Sequence, residues 1–391
     1  MMEESKKIIP YGRQAIDQSD INAVIEIMRS PFLTQGPTVD LFEKAICDKV
    51  HANYSVAVNS ATSALHIACL ALGLSEGDWL WTSPITFVAS ANCARYCRAK
   101  VDFVDIDDET GLIDIKVLSS KLEQAEKKGC LPKVVVPVHL AGSSCDMVSI
   151  HKLAKRFGFK VLEDASHAIG GKYKGDSVGN CKYSDITVFS FHPVKIITTG
   201  EGGLATTNCP ILEERMRDLR SHGVVKDFSR LLNKNSGPWV YEQQQLGYNY
   251  RMSDMHAALG LSQLKKLDII VKERNRQFLF YSELLENTTV KLLKIPKEVV
   301  SSLHLAVIRI PGISATIHRE IFESLRTKGI GVQVHYTPVH LQPYYQNLGF
   351  LQGNLPMAEK YAETCMSIPI FPGLSESEQN FVVNCLKEVI Q

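Results

Sequence analysis

Several patterns are missing from this sequence, and each absence removes a class of function. No two of the ten cysteines stand in a C-x-x-C pair, so zinc-ribbon and thioredoxin-type chemistry lacks its spacing. No window approaches about 18 uninterrupted apolar residues, so no membrane-crossing helix is expected. An excess of one charge is missing as well: 43 basic residues face 42 acidic ones, for a net charge of +1. That balance argues against a broad nucleic-acid or membrane-surface role, although it permits a local basic patch. Internal repeats and low-complexity tracts are absent. The N-terminal MMEESKKIIPYGRQAI lacks the apolar stretch of a signal peptide, and the scattered thiols suit a reducing compartment, so a cytoplasmic protein is expected. Cys93 and Cys97 stand four apart and read as two packed thiols on one helix face.

What is present suits a large domain plus a smaller one. The chain has 391 residues, 45% hydrophobic and 22% charged, enough for a sizeable core. From about residue 54 to 208, β-rich runs alternate with amphipathic stretches. The strand candidates are YSVAVN, WLWTSPITF, VDFVDID, KVVVPVHL, KVLEDA, ITVFSF and GGLATTN. DIKVLSSKLEQAEKKG and MVSIHKLAKRFGF read as helices between them. This alternation predicts an α/β fold with a mostly parallel central sheet flanked by helices, and the continuous apolar runs predict strands buried on both faces. The segment from Lys226 to Gln245 is polar and without period, a loop. From Ser253, a plausible N-cap, one long helix or two in tandem are expected. Then come a strand (HLAVIRI), a helix (HREIFESLRTKG), a strand (GVQVHY) and a terminal helix, a smaller C-terminal α+β domain. The division is drawn at 1–252 and 253–391.

Four stretches carry chemistry. In SFHPVKIITTGEGG, Lys195 follows a buried-strand pattern and precedes hydroxyls and glycines. A lysine normally titrates at about 10.4, but desolvation favours the neutral amine that attacks an aldehyde to form an imine. The same lysine also reads as an exposed loop residue. In VLEDASHAIGG, Asp164 ends a hydrophobic run, where ligands of open α/β sheets gather. A carboxylate there can pair with a protonated pyridine nitrogen, or simply cap a helix. His167 could stack on such a ring, bond its phenolic oxygen, or be a structural histidine. In AVNSATSALHIA, Ser60 opens a helix. Free amides and hydroxyls at such an end, Ala61 and Thr62 among them, suit a phosphate, while Ser60 equally reads as an ordinary cap. In SPITFVASANC, Phe87 could cover a planar ring or pack in a core. In this order the four describe a phosphate cradle, a ring stacker, a pyridine carboxylate and an imine lysine.

With these pieces assembled, the chain resembles the sugar aminotransferase family, a branch of the fold-type I pyridoxal-phosphate enzymes. The likeness runs nearly end to end, through IPYGRQAI, LTQGPTVDLFE, NSATSAL, EDASHAIGG, SFHPVKIITTGEGG, RSHG, YNYRMSDMHAALGLSQL and VQVHYTPVHLQPYY. SPITFVA, SFHPVKIITT and QVHY favour the branch that aminates carbon 4 of a nucleotide-linked keto sugar for pseudaminic acid. The resemblance implies pyridoxal 5'-phosphate as cofactor, glutamate as amino donor, no metal, and a homodimer with shared active sites. It makes Lys195 the Schiff-base lysine and Asp164 the pyridine-nitrogen partner, with Phe87 and His167 about the ring. Ala61, Thr62 and Ser190 fall where the family holds phosphate, and Asn249 where it reaches the partner's phosphate. Tyr11, Pro31, Phe32, Leu33, Thr34, Gln333, Val334, His335 and Tyr336 fall where the family contacts the nucleotide sugar. Relatives often carry Gln where this chain has His167. A dehydratase branch has histidine at the lysine position, so Lys195 implies transamination. Two readings of other classes compete. GEGGLA, Gly200 to Ala205, matches the letters of a dinucleotide-binding turn, but a proline follows soon after where a helix should begin. A non-catalytic regulator would keep the fold, but intact Lys195 and Asp164 argue against it.

Overall fold

The computed structural model describes residues 8–233 and 237–390. Its central sheet has seven strands: Tyr54–Val58, Trp79–Thr82, Lys100–Phe103, Val134–Val136, Lys160–Asp164, Ile186–Ser190 and Gly203–Thr207. In space they run, by first residue, 54-203-186-160-134-79-100. Only Gly203–Thr207 opposes the others, pairing antiparallel with both neighbours, so the sheet is mostly parallel, as expected. The inner strands are buried along nearly their whole length, because helices cover both faces and leave no solvent side to pattern.

The helices between these strands form where caps and apolar spacing agree. Ile115–Lys128 begins at Asp114, whose carboxylate accepts from the Lys116 and Val117 amides, and ends at Gly129 with φ 65°. Its buried positions, Leu118, Leu122 and Ala125, make one stripe at helical spacing. Past Ser253, which caps through its hydroxyl, the apolar stretch is two helices, Asp254–Leu264 and Leu267–Leu285. The break falls at Lys265–Lys266, and Lys266 Nζ bonds Asp17 at 2.9 Å and Asp20 at 2.5 Å.

A second, three-stranded antiparallel sheet orders Lys291–Leu292, Ala306–Arg309 and Cys365–Ile368. With Ala315–Thr327, Glu376–Ile390 and the long helix, it encloses its own apolar cluster. HLAVIRI supplies the middle strand, as predicted. GVQVHY, predicted as a strand, forms a single bridge from Gln333 to Ser367. The run beyond it leaves the sheet to line the cavity described below, so its alternation serves a site wall. The outer strand is instead Cys365–Ile368, which the sequence reading missed. The Lys226–Gln245 segment is largely irregular, as expected, with a short turn at Phe228–Arg230 and a two-residue pairing of Val224–Val225 with Glu242–Gln243; residues 234–236 lie outside the described residues. No helix among the described residues is long and apolar enough to cross a membrane.

Candidate active site

The site lies at the carboxyl ends of the parallel strands. Asp164 is the last residue of its strand, 5% exposed. Its Oδ2 accepts from Ser90 Oγ at 2.6 Å and its Oδ1 from the Ser166 amide at 3.1 Å. Both bonds fix the direction of the carboxylate, and no arginine or lysine forms an ion pair with it among the described residues. Its neighbour Glu163 points to the other face, where His139 Nε2 lies 2.7 Å away and Thr187 2.8 Å. Strand alternation thus sends one carboxylate to the site and the other into the protein.

The strand Ile186–Ser190 delivers Lys195 through a turn closed by the Lys195 amide to the His192 carbonyl, 2.9 Å, and by Thr198 Oγ1 to the Phe191 carbonyl, 2.9 Å. Burial lowers the Lys195 amine to about 8, and the Asp164 charge works in the opposite sense. The two groups share one cavity.

A third wall is the start of the helix Ala61–Ala71. Ser60 caps it, its hydroxyl accepting from the Ser63 amide at 3.1 Å, so first-turn amides remain for a ligand. The chain reaches this end closely only because residue 203 is glycine. A Cβ there would lie 2.4 Å from the Ala61 nitrogen and from the Ser60 carbonyl carbon.

These elements bound a cavity of about 500 Å³. It is lined by Lys195, Asp164, Ala61, Thr62, Phe87, His167, Ser190, Tyr11, Gln333, Val334, His335 and Tyr336, all named from the sequence, together with residues that were not. Phe87 is 60% exposed, so core packing is not its role. Ser60 both caps the helix and lines the cavity. Pro31 to Thr34 and Asn249 do not line it. Thr34 pairs with Ser253 and Asn249 with Ser221 through backbone bridges, and Phe32 and Leu33 are about half exposed. Sequence reasoning missed Ser166, His192, Glu201 and His304 on the walls, and Ser90 behind Asp164. Ser90 sits in the stretch quoted for Phe87, but no local spacing couples it to a carboxylate 74 residues on. GEGGLA turns into the strand Gly203–Thr207, without the helix that a dinucleotide site requires.

The far wall is aromatic and uncharged. His167 Nε2 lies 3.1 Å from the Tyr336 hydroxyl. His335 Nδ1 lies 2.8 Å from Ser367 Oγ, with the Tyr11 ring 5.4 Å away. Burial, followed by the Lys195 charge, drives His167 well below the ordinary histidine range and His335 down to about 4. A carboxylate aimed into the cavity, an amine opposite it, a helix N-terminus and an exposed aromatic face suit a flat cationic heterocycle bearing a phosphate and an aldehyde. Pyridoxal phosphate has those parts, and the residues present fit it.

The model of the DegT/DnrJ/EryC1/StrS aminotransferase family matches residues 14–387. The chain is 40% identical, over 98% of both proteins, to the UDP-4-amino-4,6-dideoxy-N-acetyl-beta-L-altrosamine transaminase of Campylobacter jejuni. It is 36% identical to the spore coat polysaccharide biosynthesis protein SpsC of Bacillus subtilis, over 100% of this chain and 99% of that one. Among solved structures it is similar to Helicobacter pylori PseC, an aminotransferase involved in the biosynthesis of pseudoaminic acid. The TM-score is 0.89 and the identity 32%, covering 98% of this chain and 99% of that one.

Proposed function

This chain belongs to the DegT/DnrJ/EryC1/StrS aminotransferase family, and from that premise we propose that it moves an amino group from glutamate to carbon 4 of a UDP-linked 4-keto-6-deoxy sugar. The product is UDP-4-amino-4,6-dideoxy-N-acetyl-β-L-altrosamine, the compound named in its Campylobacter relatives. The observation that carries the reading is the convergence of Lys195 and Asp164 on one cavity beside the helix N-terminus at Ser60. The enzyme is a pyridoxal-phosphate-dependent sugar aminotransferase. Pyridoxal phosphate, when bound, supplies an aldehyde for amine exchange and a ring that takes up the electron pair left on the donor carbon.

The chain's residues then have definite work. The Ala61 and Thr62 amides, with the Ser190 hydroxyl, hold the phosphate at the positive end of the helix. Asp164, oriented by Ser90 and the Ser166 amide, keeps the ring nitrogen protonated. Phe87 covers one face of the ring. Lys195 would hold the cofactor at its aldehyde carbon, and its amine, when free, would be placed to take the proton from the donor α-carbon. A positioned base of this kind commonly contributes roughly 10²–10⁴-fold. Its depressed basicity leaves much of it neutral near pH 8. Tyr11 and the run from Gln333 to Tyr336 face the sugar. Asn249 and Pro31 to Thr34 lie off this cavity, and in the proposed homodimer they complete the partner's site.

Purified protein incubated with glutamate and a panel of UDP-, dTDP- and GDP-linked keto sugars, with products identified by mass and NMR, tests the proposal. The 4-amino UDP sugar should form fastest. Amination of another carbon, or turnover only with another nucleotide, overturns the substrate assignment.

A further inference from the structure

Among the described residues, two buried nitrogens on the aromatic wall have no hydrogen-bond partner. Nδ1 of His167 and Nδ1 of His304 each lack a hydrogen bond and are closed off from solvent. Their rings touch, with centroids 4.3 Å apart and planes tilted by 46°. The residues are 5% and 4% exposed, so no solvent compensates them, and buried polar atoms left without partners are costly.

Both rings hang from fixed backbone. The His167 carbonyl accepts from Ser302 Oγ at 2.7 Å. The fully buried Arg274 donates through one Nη1 to the carbonyls of Leu303, His304 and Ile370, at 3.1, 3.3 and 3.1 Å. The His167 ring is further held at Nε2 by the Tyr336 hydroxyl, 3.1 Å away, so the rotation left for the contact is that of the His304 imidazole about χ2. A ring nitrogen lies slightly less than a bond length from the ring centre, so with centroids 4.3 Å apart a turn of His304 can place its Nδ1 within hydrogen-bond reach of the other.

The protonation states make such a contact productive. Burial and the charge of Lys195 hold both imidazoles neutral, and a neutral imidazole has one N–H and one lone pair. Two like nitrogens, one protonated and one bare, make a hydrogen bond. Both protonated repel, and both bare have nothing to share. The far nitrogen of His167 faces the Tyr336 hydroxyl, so its tautomer decides whether that hydroxyl donates to it or accepts from it.

We propose that His304 is a positioning residue that shares one proton with His167 through an Nδ1–Nδ1 hydrogen bond, so that each tautomer fixes the other and the pair orients the Tyr336 hydroxyl toward substrate. This rests on the aminotransferase reading for its kinetic consequence, but not for the bond itself.

The test is ring-¹⁵N histidine NMR on the holoenzyme without sugar or donor, comparing wild type with His304→Phe and His304→Asn. In wild type the two Nδ1 atoms should be in opposite states, one protonated and one bare. His304→Phe fills the space without a polar atom, and should leave His167 a mixture of tautomers. His304→Asn puts an amide near the Nδ1 position and should restore a single tautomer. Turnover should fall about 2- to 10-fold in His304→Phe, the value of one ordinary hydrogen bond, with recovery in His304→Asn and little change in KM for the donor. Equal states at the two Nδ1 atoms in wild type, or an unchanged His167 pattern in a folded His304→Phe, overturns the proposal. The nitrogen states are read without turnover, so failure of the sugar assignment would leave this result standing.

Discussion

At Lys195 two influences oppose each other, and their balance is measurable. Burial favours the neutral amine and the Asp164 carboxylate favours the ammonium, with burial the stronger. The folded-state value is therefore below the usual lysine range, and the neutral, reactive form should accumulate as pH rises through about 8. Formation of the visible band when apoprotein is mixed with pyridoxal phosphate should follow that midpoint, against about 10.4 for an ordinary lysine. In Asp164→Asn the opposing charge is gone and the midpoint should move lower; an unmoved midpoint would show that the two groups do not interact. The same variant should retain the cofactor about 10- to 100-fold less tightly, since a charge-assisted hydrogen bond is worth about 1.5–3 kcal/mol. Lys195→Ala should lose turnover by at least roughly 10²–10⁴-fold. Borohydride reduction followed by peptide mass mapping should place the cofactor on Lys195 in wild type and on no residue in the variant.

Some elements here are held by residues distant in sequence and not by their own caps. Helix Pro37–Val50 starts at Gly36, which has no side chain to cap it. The cap comes from the buried Asp254, whose two oxygens accept from the Gly36 and Thr38 amides at 2.8 Å each. Asp254 is itself in the first turn of Asp254–Leu264, so one carboxylate serves two helix starts. Asp254→Ala should cost about 1.5–3 kcal/mol, read as a lower urea midpoint with an unchanged slope. Ser314, capping only its own helix through the Ile317 amide, should cost about 1 kcal/mol when replaced by alanine. Equal costs at the two sites would refute the argument that one carboxylate holds two elements. The caps at Ser60 and Ser253 were legible because Ser preceded an apolar period. The cap at Gly36 was not, since its donor lies 218 residues away.

For the whole molecule, the cavity is walled by strand ends of the central sheet and by His304 and the run from Gln333 to Tyr336, and segments far apart in the chain are tied together at several points. Asp105 accepts from the Met357 and Ala358 amides at 2.9 Å each, fixing the start of Pro356–Ala362. If Asn249 completes the partner's site, two inactive variants should complement each other. Lys195→Ala and Asn249→Ala, unfolded together and refolded as mixed dimers, should recover activity that neither shows alone. Recovery no greater than the sum of the separate preparations would confine Asn249 to its own subunit, where a backbone bridge to Ser221 is its observed contact.

The sequence alone determined the alternation of strands and helices, the buried parallel sheet, and the points where chain chemistry changes: Ser60, Asp164 and Lys195 each end or follow a hydrophobic run. Those features are local, because hydrophobic period and capping act over a few residues. Tertiary structure decided what depends on approach in space. It took GVQVHY out of the sheet and made it a wall, set Ser90 behind Asp164, brought His304 against His167, and left Phe87 exposed on the cavity. Those pairings rest on packing between segments far apart in the chain, for which no residue type or short spacing carries a signal.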